Sequence, residues 1–215
     1  MTSRLSPLQE DLLRSFFRRE DRFFLSGGAA LAGFHLAHRE THDLDLFTLD
    51  DALDRGMSAL RGAAGDLGAT IEAIQTDPDF RRVLVRRGGE AIVVDLVREY
   101  VVQASVEKPV MRDIRVDPPA EIMANKLCAL LSRSEVRDLV DVRALEQAGY
   151  SLDEALTLGK RKDQGLTPAQ LAWVLSQIEI GPDLIPPGNV SAKQLRDYLA
   201  GLILRLTQKA FPSSG

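Results

Sequence analysis

The chain has 215 residues, 45% of them apolar and 27% charged, the balance of an ordinary globular protein of one large domain or one domain with an appendage. A net charge of −4 excludes a generally basic nucleic-acid binder, so any RNA contact must be a local patch. The single cysteine, Cys128, excludes an internal disulfide and a cysteine-built zinc site.

Residues 5–18 place Leu8, Leu12, Leu13, Phe16 and Phe17 at helical spacing. Residues 22–25 (RFFL) read as a short strand that runs into Ser26-Gly27-Gly28, and residues 29–37 follow as a helix. After a polar loop at 39–42, residues 43–48 (DLDLFT) alternate acid and apolar, the period-two signature of a strand. A helix is predicted over 51–67 and strands over 69–75, 81–87 and 90–97. The last two flank Gly88-Gly89, a hairpin signal. Pro118-Pro119 then breaks the chain. Helices follow over 120–132 and 135–147, the second ended by Gly149, and over 152–158, 168–177 and 191–208.

This order predicts an α+β protein: a mixed sheet with flanking helices over 1–117, then a helical C-terminal half over 118–215. No apolar run approaches the roughly 18 residues needed to span a bilayer. The N-terminus also lacks the apolar core of a signal peptide, so a cytoplasmic protein with no membrane partner is expected.

Residues two apart on a strand share a face, so Asp43 and Asp45 project together. Neighbouring carboxylates repel unless a cation lies between them. Mg²⁺, or Mn²⁺, is a hard ion suited to such oxygen ligands. Two such ions about 3.5–4 Å apart can align a nucleophile and a leaving phosphate oxygen. Asp95 is the candidate third acid, because a charge inside the apolar run IVVDLV is costly without a partner. The bland alternative for Asp43 and Asp45 is a polar strand edge. Ser26, Gly27 and Gly28 offer backbone N–H groups and a hydroxyl to a phosphate, or form only a tight turn. No Walker loop or GxGxxG is present.

The run GGAALAGFHLAHRETHDLDLF (27–47), with VVDLV at 93–97 and EIMANKLCALLSRSEVRDLVDV at 121–142, resembles the AbiEii/AbiGii toxin family of nucleotidyltransferases. The shared pieces are a Gly-Gly, a His-Arg pair, D-x-D, a third-acid strand and a Lys followed by R-D-x-x-D. The resemblance implies a minimal nucleotidyltransferase fold related to polymerase β, Mg²⁺ and NTP binding, and transfer of NMP to a hydroxyl of RNA, tRNA or protein. By similarity Ser26, Gly27 and Gly28 would hold the triphosphate, and Asp43, Asp45 and Asp95 the metals. Lys126 would contact phosphates and Asp138 would position Lys126 or a water. A separately encoded antitoxin would be the partner. The chain departs from the pattern at Ala29, where Thr is common, and in the loop Glu40-Thr41-His42, where Ser is common.

Several residues keep a plain structural alternative. Lys126 could snorkel from an apolar helix, and Asp138 and Asp141 could form a solvated helix face with Arg137. Arg133 and Arg137 could touch phosphates. Arg81, Arg82, Arg86 and Arg87 read as a solvated strand edge that discourages pairing, or as an RNA patch. His35, His38 and His42 lack the spacing of a zinc motif, and His38 and Arg39 suit a helix C-terminus. Cys128 and Trp173 read as core. Two rival functions share these residues: a catalytically inactive nucleotide- or partner-binding module with the same fold, and a metal-dependent phosphohydrolase.

Overall fold

The computed structural model describes residues 3–212. The chain folds as two compact units. The first runs to Val101 and takes in Ser105–Pro118; the second holds Val102–Ala104 and the chain from Pro119 on.

The first unit is built on a five-stranded mixed sheet of order β1-β2-β5-β4-β3. Its strands are β1 (Phe23–Ser26), β2 (Asp43–Thr48), β3 (Thr70–Asp77), β4 (Phe80–Arg87) and β5 (Glu90–Arg98). β1 pairs antiparallel with β2, and β2 pairs parallel with β5. β5 turns back on β4 through Gly88-Gly89, with Gly88 at φ +59°, the left-handed conformation that a two-residue hairpin demands. β4 is therefore an inner strand. The sequence expectation of a solvated edge at the arginine-rich strand is corrected: β3, exposed along nearly its whole length, holds the edge.

One face of the sheet is apolar because the strands alternate. Leu44 and Leu46 of β2, Val83 and Val85 of β4, and Val94 and Leu96 of β5 are all buried. Helix α1 (Pro7–Phe17) contributes Leu8, Leu12, Leu13 and Phe16 to this core, and α3 (Leu53–Asp66) contributes Met57, Leu60 and Ala63. Each fully buried Leu, Val or Phe side chain among these contributes about 1.5–3 kcal/mol. Ser6 starts α1 with a reciprocal cap shared with Gln9. Gly56 of α3 lies against Phe23 and Leu96, where a methyl group would come within 2.5 Å of the Phe23 ring. A two-strand ribbon, β6 (Val110–Met111) and β7 (Ile114–Arg115), has no counterpart in the sequence expectation. It leads Val116 to a parallel bridge with Leu25.

The second unit is helical: α4 (Pro119–Arg133), α5 (Val136–Gln147), α6 (Leu152–Lys162), α7 (Pro168–Leu175) and α8 (Ala192–Ala210). α4 packs against α5, α6 and α7, and α8 packs on α7 and α5. Ser151, Thr167 and Ser191 cap α6, α7 and α8. Trp173 corrects the reading as core: it is 62% exposed, because α7 turns Leu171, Ala172 and Leu175 inward instead. No described helix is long and apolar enough to cross a membrane.

Gly56→Ala forces a methyl into the Phe23 contact and should cost about 1–3 kcal/mol of unfolding free energy. Urea denaturation of the purified variant measures it; an unchanged midpoint would refute the close approach.

Candidate active site

The sheet's second face carries the acids. β2 alternates half-buried Asp43, Asp45 and Phe47 with buried Leu44, Leu46 and Thr48. Asp45 stands in register with Asp95 on the parallel neighbour β5, and paired residues on adjacent strands project to the same side. The three carboxylates therefore share one face.

Each acid has a local partner. Thr41 Oγ1 donates to Asp43 Oδ1 at 2.5 Å, so the loop before β2 does supply a hydroxyl. Gln9 of α1 fixes that loop by donating its amide to the Thr41 carbonyl at 3.1 Å. Asp45 Oδ2 lies over Gly27, filling the space where a Cβ would stand. Gly27 has φ +63° as well, so glycine is favoured there on two counts. Asp95 is held by Arg82, its register partner on β4. Arg82 Nε and Nη2 donate to Oδ1 and Oδ2 at 2.8 and 2.6 Å. The hydrogen bond to Asp95 is the main cause that raises the guanidinium pKa. Burial opposes it, and the charges of Asp95, Asp45 and Asp43 add to it. Sequence reading missed this role. Its only trace was one arginine at the right alternation in RRVLVRR.

The glycine turn follows β1 directly. α2 (Gly27–Ala30) begins in the glycines and continues as a π-helical turn over Leu31–His35. Arg39 is buried with its Nη2 beside Gly28, 2.6 Å from where a Cβ would be, and so lies on the turn rather than at a solvated helix end.

Asp117 was also missed. Its carboxylate is 1% exposed; Oδ2 accepts the Ser26 hydroxyl at 2.6 Å, and Lys108 Nζ lies 2.7 Å from Oδ1. Its N–H donates to the Leu25 carbonyl, and its carbonyl accepts from His35 Nε2 at 2.8 Å. Burial lowers the His35 pKa, with the Asp117 carbonyl opposing the shift; a carbonyl can only accept, so Nε2 carries the hydrogen. Asp117 thus fastens the strand before the turn and the helix after it. The Ser26 hydroxyl, expected to face a phosphate, is directed at Asp117.

In the second unit, Lys126 of α4 lies 2.6 Å from Asp138 and 2.8 Å from Asp141, both fully buried on α5. Arg133 Nε also donates to Asp138 at 3.0 Å. The Asp138/Asp141 face is thus turned inward rather than solvated. Arg137 pairs with Glu135. Burial alone would lower the Lys126 pKa; the charges of Asp141 and Asp138 more than reverse it, and the ammonium ends above its usual range.

Asp43 and Asp45 are hard oxygen donors of the kind a divalent ion takes. Among the described residues, no group of three or more His, Cys, Asp and Glu is arranged to hold a metal ion. Asp95 is turned to Arg82 instead.

A family model described as nucleotidyl transferase AbiEii toxin, type IV toxin–antitoxin system, matches residues 11–211. No curated protein matches the chain. Among solved structures the chain is similar to JHP933 from Helicobacter pylori, at 22% identity and TM-score 0.61, covering 95% of this chain and 94% of that one. It is also similar to MenT4, a nucleotidyltransferase toxin of Mycobacterium tuberculosis H37Rv, at 17% identity and TM-score 0.62, covering 93% and 82%. At these identities the structures establish the shared fold.

Two outcomes are expected. Asp117→Ala removes the carboxylate that Lys108 and Ser26 share in a buried site and should cost about 3–5 kcal/mol; chemical denaturation reads the loss, and a value under about 1 kcal/mol would contradict the clamp. Because the folded pKa of Lys126 is raised, its stabilisation is complete below the unfolded value of about 10.4 and is lost as pH rises through the folded value. Denaturation midpoints measured from pH 8 to 11.5 should therefore fall more steeply in the wild type than in Lys126→Ala.

Proposed function

Because the chain belongs to the AbiEii family of nucleotidyl transferase toxins, we propose that it transfers NMP from an NTP to a hydroxyl acceptor, with RNA or tRNA favoured over protein, and releases pyrophosphate. The observation that carries this reading is the face shared by Asp43, Asp45 and Asp95 beside a turn in which Gly27 is left-handed and Asp45 occupies its Cβ position.

The residues divide the work. Gly27 and Gly28 bring backbone close to a triphosphate without side-chain bulk. Ser26 serves by locking the turn through Asp117. Asp43 and Asp45 would hold a divalent ion, Mg²⁺ or Mn²⁺, with Asp95 as the third acid. When bound, such an ion offsets phosphate charge and lowers the pKa of a coordinated hydroxyl. Asp45 is fixed over the turn and Asp43 is oriented by Thr41, so both present oxygens with little rearrangement. Asp95 is the candidate to take the acceptor's proton, once it is free of Arg82. From the family pattern, Lys126 is the phosphate-contacting cation and Asp138 its holder. The Asp138 and Asp141 pairs support this by keeping Lys126 charged and in one place. The family also supports a separately encoded antitoxin as the regulator.

Asp43→Asn and Asp45→Asn should each reduce transfer by about 10³-fold or more while the circular dichroism spectrum is unchanged. Labelled NTPs with total RNA, scored for labelled RNA and pyrophosphate, give the measurement. Full activity in both variants would reject the site. NTP binding without pyrophosphate release under any acceptor would favour the inactive binding module.

A further inference from the structure

Arg82 and Asp95 are cross-strand partners on β4 and β5, and Asp95 is in turn the rung partner of Asp45. The guanidinium therefore enters the acid face from the side opposite β2. It takes both oxygens of Asp95 in a parallel two-bond fork, the strongest geometry open to an arginine and a carboxylate. Asp95 itself is 6% exposed, so few approaches to its oxygens remain. The Arg82 side chain is 42% exposed and has room to leave. A divalent ion that uses Asp95 needs the oxygens that Arg82 holds.

We infer that Arg82 is a resident counter-cation of the acid face, which competes with a divalent ion for Asp95 and must release it before a three-carboxylate metal site can form. The inference rests on the metal-dependent reading above and adds a control to it. In the metal-free protein the guanidinium offsets the repulsion among Asp43, Asp45 and Asp95 and so protects the fold. In the loaded protein that duty passes to the ion. The apparent metal affinity is then the intrinsic affinity reduced by the fraction of molecules in which Asp95 is already released. A lysine at position 82 keeps the charge but not the fork, so it should compete less well.

Calorimetric titration of the full chain with Mn²⁺ tests this, using the wild type, R82K, R82A, D95N and R82A/D95N. The expected result is that R82A binds Mn²⁺ at least about tenfold more tightly than the wild type, with R82K in between. In the D95N background the same substitution should change affinity by less than about threefold, because the contested ligand is gone. R82A binding no more tightly than the wild type would overturn the inference and leave metal dependence standing. A gain that persists undiminished in D95N would also overturn it, since plain charge repulsion would then account for the effect. If the wild type and every variant fail to bind Mn²⁺, the metal-dependent reading falls, and this inference with it. Should R82A fail to fold, R82K against wild type, each with and without D95N, gives the same comparison with smaller differences.

Discussion

Three carboxylates on one face of two adjacent strands is the constraint around which the first unit is organised. Asp45 and Asp95 are rung neighbours, and Asp43 is one alternation away. Like charges so placed raise the free energy of the folded chain unless cations or donors offset them. The surroundings supply both. Arg82 forks onto Asp95, Thr41 donates to Asp43, and Asp45 lies against a turn whose residue has no side chain. A structure that served stability alone would have apolar residues at these positions.

The glycine turn depends on a second buried charge. Asp117 comes from far along the chain, beyond the β6–β7 ribbon, yet it joins Ser26, Leu25, His35 and Lys108 at one point. The ribbon, short as it is, delivers Val116 to its bridge with Leu25 and so sets Asp117 under the turn. Arg39, beside Gly28, closes the turn from the loop side. The turn is thus held by Asp117 from one side and Arg39 from the other.

The second unit solves the same kind of problem inside a helical bundle. Asp138 and Asp141 are one helical turn apart on α5 and both reach Lys126 of α4. Glu121, fully buried at the start of α4, meets Lys162 of α6 and the N–H of Ala104. Burying an ion pair contributes little net stability, but removing one partner is costly. These clusters therefore fix which helix faces meet, and they hold Lys126 charged.

The sequence by itself determined the elements whose signals are local. Period-two alternation marked DLDLFT and put Asp43 and Asp45 on one side. The Gly-Gly turn marked the β4–β5 hairpin, and Pro118-Pro119 marked the change from sheet to helices. The motifs around Gly27, Asp43 and Lys126 were legible as a family pattern because they are short and ordered along the chain. Tertiary structure alone decided what those residues touch. The parallel pairing of β2 with β5 put Asp45 beside Asp95, and the inner position of β4 aimed Arg82 at Asp95 instead of at solvent. Asp117 reached Ser26 across ninety-one residues, and Trp173 turned outward because α7 buries its other face. Alternation and turn propensity act over a few residues and so can be read in one strand of text. Register between distant strands, and the choice of partner for a buried charge, are settled only when the whole core packs.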